Sequence, residues 1–537
     1  VNSDTIPVST PRMIVIDDFT TKIPETFDVV IKDKNKKFSV IPDQEKEFKL
    51  MPFDGAGIVD LEVAKIWSKE LNDILRKETN RNKVNYIPSS FQFRAIIGVK
   101  GNLYTFDLKK YALSLDEDKR YIKDVWGKEH KILDDKDNLL IDAILTKSQF
   151  KFKKKYDSFD KWQTEFDKEV ELKDLDNNDI KYKRTFNIAK WGNKKNKDKA
   201  LLSYQPIQSL ELTQEQIEIL CKPTVEIIKN ISTDVDEFLK YRGLLEETYD
   251  ENGELVLKET DMDRVPKYYE ALKKNKNLFY DSYIQKKVQK DINRFKENAM
   301  KGMVFVDGNF QTMSPDIIAF MEYATGQSVK GVVPKNNIYS NYWRNKEYIS
   351  YEKNEAGEEV KKIEKVTAVD IIRFPHVSNE HIFATVMQNE IEEFQYIQDG
   401  IIMSIYDTSL ERLGNGDEDG DRILTIPNVG AENKIIVDNA KEQQTNTIYF
   451  INEYEKDKKE KEEKLIAEGK MERPKPIKIN QIDELIKCDA NGMEASIGKV
   501  VNKISILWSL PKTKERDNYI KIMSVIGCLL YTSLMAR

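Results

Sequence analysis

The sequence predicts an α+β multidomain protein in which two β-rich regions are joined and flanked by helices. Three observations carry this. At 537 residues the chain is too long for a single hydrophobic core, so it must divide. Runs rich in β-branched and aromatic residues, bounded by turn signals, gather before residue 110 and again between 302 and 428. Between them, residues 201–300 carry the 3.6-residue apolar period of packed helices.

Taken in order, residues 1–50 form a β-rich segment with strand-like runs "RMIVID" and "FDVVIK". "MPFDGAGIVDLEVAKIWSKEL" (51–71) reads as a turn and an amphipathic helix, with Val63, Ile66, Trp67 and Leu71 on one face. "FQFRAIIGVKGNLYTFDL" (91–108) reads as two strands around a Gly98-Val99-Lys100-Gly101 turn. These elements, 51–115 with 181–210, make the first, lysine-bearing β region, and 116–180 reads as a charged insertion. Residues 211–300 are a helical connector containing "TQEQIEILCKPTVEIIKNI" and "VPKYYEALKKN". Residues 301–430 are the second β region. Residues 431–527 are a C-terminal helical region that reads as cut short, with a solvated charged helix in "EKDKKEKEEKLIAEGKMERPKP" (455–476). Residues 528–537 read as a non-native tail. No repeat occurs at a solenoid period.

Composition excludes several classes. No run of about 18 apolar residues is present, and the first residues lack the basic and apolar regions of a signal peptide. Cys221, Cys488 and Cys528 form no CxxC pair, which argues against a disulfide framework or zinc and fits a reducing cytoplasm. The histidines, His130, His376 and His381, are too few for a His-rich metal site. Net charge is −6, yet two stretches are strongly basic and interleaved with aromatics: "KSQFKFKKK" (147–155) and "KYKRTFNIAKWGNKKNKDK" (181–199). Each reads either as a solvated loop or as a track for phosphates with rings stacking on bases.

The segment "NGDEDGDRIL" (415–424) is the most specific feature. It sets Asp417, Asp419 and Asp421 at alternate positions with Gly420 between the last two. Like charges at this spacing repel, and a divalent cation is the usual compensation. An EF-hand loop is excluded, because the glycine falls fourth rather than sixth and the twelfth residue is Asn428. A solvated turn stays open. The other reading is a hairpin loop between "IIMSIY" and "RILTIP" that gathers the carboxylates around Mg²⁺ for phosphoryl transfer.

Five motifs, in order, resemble those of the single-chain, two-barrel RNA polymerases, a group that includes the YonO-like phage enzymes and the eukaryotic RNA-silencing RNA-dependent polymerases. Asp417–Asp421 fits the family's D-x-D-G-D. "FDGAGIV" (53–59), "SSFQFRAIIGVKG" (89–101), "DIIRFPHVSNEHI" (370–382) and "MEASIGKVVNKI" (493–504) are similar to its other motifs. There are departures: Glu418 replaces an apolar or aromatic residue, and "RFPH" stands where the family has "RNPC".

The resemblance implies two double-psi β-barrels in one chain, with 301–430 as the second. It implies a nucleotidyltransferase that polymerises RNA from NTPs on a DNA template, acting as a single chain in the host cytoplasm of a phage or prophage. The alternatives are an RNA-dependent RNA polymerase and a non-catalytic nucleic-acid-binding protein that retains the barrels. Asp417, Asp419 and Asp421 would bind Mg²⁺. Lys100 would contact nucleotide or primer phosphate, Lys190 would supply a second cation, and Arg373 would contact the NTP. Each of these three has a plainer alternative, a surface lysine or a structural ion pair. Asp54 reads as organising a turn.

Overall fold

The computed structural model describes Thr5 to Met535 apart from residues 80–83, 96–97, 152, 174–178, 195, 197, 250–254, 260–265, 354–358, 377–378, 474–482, 484–485 and 488–495. The fold is mixed α and β. One β unit is a seven-stranded sheet in the order Ile6–Val8, Phe186–Trp191, Ser90–Ala95, Val99–Phe106, Ala56–Asp60, Ala143–Thr146, Met13–Ile16. The other is a closed six-stranded barrel in the order Asn309–Ser314, Gly400–Met403, Asn337–Tyr339, Ile382–Val386, Ala368–Arg373, Arg422–Pro427.

The two units repeat one topology. Leave aside Ile6–Val8 and number the remaining six strands of each unit in chain order. In both, the first pairs parallel with the fifth and the second parallel with the fourth. In both, the second and fifth, third and fourth, and third and sixth pair antiparallel. The barrel closes by pairing its sixth strand with its first. In the sheet, Ile6–Val8 takes that edge of the sixth strand instead. The repeat lies in pairing order rather than in residues, so it is invisible to a search for sequence periodicity.

Several expectations are corrected. Residues 1–50 and 116–180 are not separate from the first β region, since Met13–Ile16 and Ala143–Thr146 are paired strands of its sheet. Ala143–Thr146 is buried on both faces, and a continuous apolar run of four residues carries no period to reveal it. The aspartate segment is not a hairpin loop. Gly400–Met403 and Arg422–Pro427 lie on opposite sides of Asn309–Ser314, one parallel to it and one antiparallel. On helix Leu61–Thr79 the buried face is Ala64, Trp67, Leu71 and Leu75, while Ile66 is 50% exposed.

A shared core joins sheet and barrel. Ile14, Phe53, Ile58 and Tyr104 from the first unit pack with Ile317, Phe320 and Ile402 from the second, and the Phe53 and Phe320 rings lie 5.3 Å apart. Helix Leu61–Thr79 covers the other face of the sheet: Trp67 stacks on Phe186 at 5.4 Å and donates Nε1–H to the Ser9 carbonyl at 2.9 Å. Residues 211–300 contain helices and the antiparallel strands Leu245–Tyr249 and Leu255–Glu259. Helix Gln214–Thr233 begins at a capping box of Thr213 and Gln216, and Lys267–Lys274 and Ser282–Met300 pack with it. Helix Glu453–Ala467 buries no residue, as a solvated charged helix should. Helix Lys514–Met535 runs through most of 528–537. Among the described residues, no helix is long and apolar enough to cross a membrane.

Trp67→Ala removes one of the two fully buried tryptophans of the sheet's outer core and a part-buried hydrogen bond. We expect a loss of about 3–5 kcal/mol, read as a lower urea midpoint of the fluorescence transition; an unchanged midpoint would show that the helix does not brace the sheet.

Candidate active site

Asp417, Asp419 and Asp421 follow the short helix Ser409–Arg412 and precede strand Arg422–Pro427. One carboxylate oxygen from each lies within 4.8 Å of the others. All three are half-buried, and burial, then Asp419 and Asp421, push the Asp417 carboxyl up to about 8. Gly420, at φ +117°, allows the reversal between Asp419 and Asp421. Three hard oxygen donors converging in this way fit a divalent cation of the Mg²⁺ or Mn²⁺ kind.

The loop is held from the first β unit, chiefly through its backbone. The Tyr104 hydroxyl reaches the carbonyls of Met313 and Glu418, the latter at 3.2 Å. Gln92 donates Nε2–H to the Asp419 carbonyl at 3.0 Å, and the Glu418 N–H donates to the Asp54 carbonyl at 3.0 Å. Gly55, at φ +78°, is pressed so close that an added Cβ would stand 2.6 Å from the Asp419 Cβ. Gly55 is braced in turn by Ser148 Oγ, which accepts its N–H at 2.9 Å, and by the buried Gln149 amide, which donates to its carbonyl at 3.0 Å. Tyr104, Gln92, Ser148 and Gln149 were given no role by sequence reasoning. Their signal is tertiary, although Gln92 stands inside a motif already singled out.

The expected cations are found at different distances from the site. Lys100 is beside it, with Nζ 3.9 Å from Asp419 Oδ2 and the side chain 47% exposed. It is not at the tip of a turn, however. It sits on strand Val99–Phe106 opposite Arg94, whose exposed side chain shares the same face. Lys190 is opposite Gln92 on the neighbouring strand, exposed on that polar face, next to the residue that holds Asp419. Arg373 is 4% exposed and bound to Asp421 Oδ2 through Nε at 2.8 Å and a terminal nitrogen at 2.7 Å. Its other terminal nitrogen donates to the Leu413 and Gly414 carbonyls at 3.1 and 3.2 Å. The guanidinium therefore positions a metal-site carboxylate, and the ion-pair alternative fits it better than direct NTP contact.

Glu418 turns inward. It is 1% exposed, its Oε2 has no hydrogen-bond partner, and burial followed by Asp54 and Asp417 raises its carboxyl well above the usual range. Burial and the neighbouring carboxylates thus favour its uncharged form. Asp54 lies close to the site as well as ordering the turn, and its carboxyl is pushed up by desolvation, Asp18 and Asp419 against the lowering influence of Ser148 and Lys151. His376 and His381 are buried structural groups that share the Ser209 hydroxyl, each through Nε2 at 2.8 Å. In the basic stretch 147–155 Phe150 is buried in the core under the sheet, as is Tyr156 just after it, and Phe152 lies outside the described residues.

No family model matches the chain. It is 27% identical over 332 residues to the DNA-directed RNA polymerase YonO of Bacillus phage SPbeta, a match covering 61% of this chain and 33% of the relative. It spans about a third of the length of that curated relative. Among solved structures, the RNA-dependent RNA polymerase QDE-1 from Thielavia terrestris overlaps 99% of this chain and 43% of its own, at 12% identity and a TM-score of 0.38. That likeness is too loose to build on.

Tyr104→Phe removes the hydroxyl that holds two backbone carbonyls of the barrel. We expect affinity for Mn²⁺, followed by electron paramagnetic resonance, to fall about tenfold, as when an outer support of a metal ligand is lost. The circular dichroism spectrum should not change. Unaltered Mn²⁺ affinity would mean that the loop keeps its shape without this support.

Proposed function

We propose that the chain carries the catalytic centre of an RNA polymerase that transfers nucleotides to an RNA 3′ end on a DNA template. The observation that carries this reading is the convergence of Asp417, Asp419 and Asp421 opposite Lys100, contributed by two β units of one topology. We read those units as the two double-psi β-barrels of the family, the first left open at one seam. The preference for DNA follows the YonO relative, a DNA-directed enzyme by name. Partners would be the template, the nascent RNA and NTPs. A phage relative also favours action in the bacterial host cytoplasm.

In this reading the three aspartates hold Mg²⁺, which when bound lowers the pKa of the RNA 3′-hydroxyl and offsets charge on the α-phosphate. Arg373 fixes Asp421 and takes up part of the mutual repulsion of the triad. Lys100 faces Asp419 across the junction, placed to neutralise phosphate charge as it develops. Lys190 and Arg94 lie farther along the same face, suited to the remaining phosphates of the NTP or the primer. The intact triad weighs against a barrel that merely binds nucleic acid, since gathering three carboxylates has a cost and no benefit without a cation.

Template-primed extension with labelled NTPs on matched DNA and RNA templates tests the assignment. Asp419→Ala is expected to abolish extension while leaving the circular dichroism spectrum intact; wild-type extension in Mg²⁺ would remove the metal assignment. Lys100→Ala should slow nucleotide addition about 10²-fold, the scale of one preorganised charge contact, with template affinity little changed. Normal turnover with weakened template binding would transfer Lys100 from the chemistry to docking. Extension on RNA but not DNA would select the RNA-dependent alternative.

A further inference from the structure

The lysines between strands Ala143–Thr146 and Phe186–Trp191 are not absorbed by the metal site. In the repeated topology this connection, from fifth strand to sixth, corresponds to the one that carries the three aspartates in the barrel. One topological position therefore holds the acidic loop in one unit and the basic stretch Lys147–Lys155 in the other.

The stretch is built into the site at its root. Lys100 N–H donates to the Gln149 carbonyl at 3.1 Å, Lys151 N–H donates to the Gly98 carbonyl at 2.9 Å, and Phe150 bridges to Val99. The lysines thus continue directly from the strand that bears Lys100. Gln149 is fully buried, bonded to the carbonyls of Gly55 and Asn102, and Phe150 is 1% exposed in the core. With Phe150 turned inward, the lysines after it face out: Lys151, Lys154 and Lys155 are exposed and Lys153 partly so.

Most of the nearby acids have closer partners, although Asp54 and Asp17 lie within electrostatic reach of Lys151 and Lys153 respectively. Asp17 pairs with Lys147 at 2.7 Å, Asp18 accepts the Ser148 N–H at 2.7 Å, and Asp157 pairs with Lys161 at 2.5 Å. Lys151, Lys153 and Lys154 form no ion pair among the described residues. Several unpaired ammonium groups on one rigid ridge repel one another, in a chain whose net charge is −6. A polyanion relieves that repulsion.

We infer that Lys151, Lys153 and Lys154 form a track for the phosphate backbone of the nucleic-acid strand that reaches the aspartates, gripping it through charge without reading its bases. This rests on the polymerase reading for which strand is held. Binding through charge should be indifferent to base sequence and strongly dependent on salt.

The test uses the full chain and a fluorescein-labelled single-stranded DNA oligonucleotide, with affinity measured by anisotropy across a salt series without NTP or Mg²⁺. The triple variant Lys151→Gln, Lys153→Gln, Lys154→Gln is compared with a control, Lys459→Gln, Lys461→Gln, Lys464→Gln, which removes the same charge from the exposed helix Glu453–Ala467. At about 0.7 per phosphate contact, the ridge variant should flatten the slope of log affinity against log salt by about two, and weaken binding about tenfold to a hundredfold at 0.1 M salt. The control should keep the wild-type slope. A ridge variant with the wild-type slope, or one no flatter than the control's, overturns the proposal. Because the measurement needs no catalysis, a chain that binds through the ridge but fails to extend a primer would count against the polymerase reading alone.

Discussion

Three carboxylates within 4.8 Å of one another repel, and a loop held only by its own flanking strands would spread to separate them. Here the spreading is opposed from outside the barrel. Tyr104, Gln92 and the turn at Asp54 and Gly55 hold main-chain atoms of Glu418 and Asp419, while Arg373, from the barrel's own strand Ala368–Arg373, grips the Asp421 carboxylate directly. Restraint through the backbone leaves carboxylate oxygens of Asp417 and Asp419 available to a cation. It also makes the site a property of the junction: neither the sheet nor the barrel has it alone.

The junction explains the shared topology. Two units with the same order of parallel and antiparallel pairs present equivalent loops, and facing one another they bring corresponding segments to one place. The chemistry has diverged while the pairing order has not. One unit supplies acids in a loop; the other supplies Lys100 on a strand and further lysines beside it. With opposite charges on two scaffolds, Lys100 and Asp419 meet only as a loose ion pair at 3.9 Å.

Sequence reading reached the aspartates and Lys100 because those positions depend on residue type and short spacing. It read helices in 211–300 from their amphipathic period, which is a local signal. It missed what depends on pairing across long separations. Ala143–Thr146 has no period of its own, and the strand order that splits Gly400–Met403 from Arg422–Pro427 leaves no trace between them. Arg373 was recognised as important but given to substrate, because a motif shows that an arginine is needed without showing which carboxylate it faces. The inward Glu418 could not be settled from sequence, since one residue beside a turn can face either way.

The hairpin Thr21–Lys32 with Phe38–Leu50 is completed by Thr447–Asn452, which lies parallel against the first of its strands. The Asn446 amide beside it bonds to Asp43, 403 residues away. During synthesis at about 5–20 residues per second, the early hairpin waits roughly 20–80 s for that partner, with one strand edge unpaired. An open edge for so long is a template for strands of other nascent chains. Production of this protein should therefore respond to chaperone supply and to growth temperature more than its finished stability would suggest.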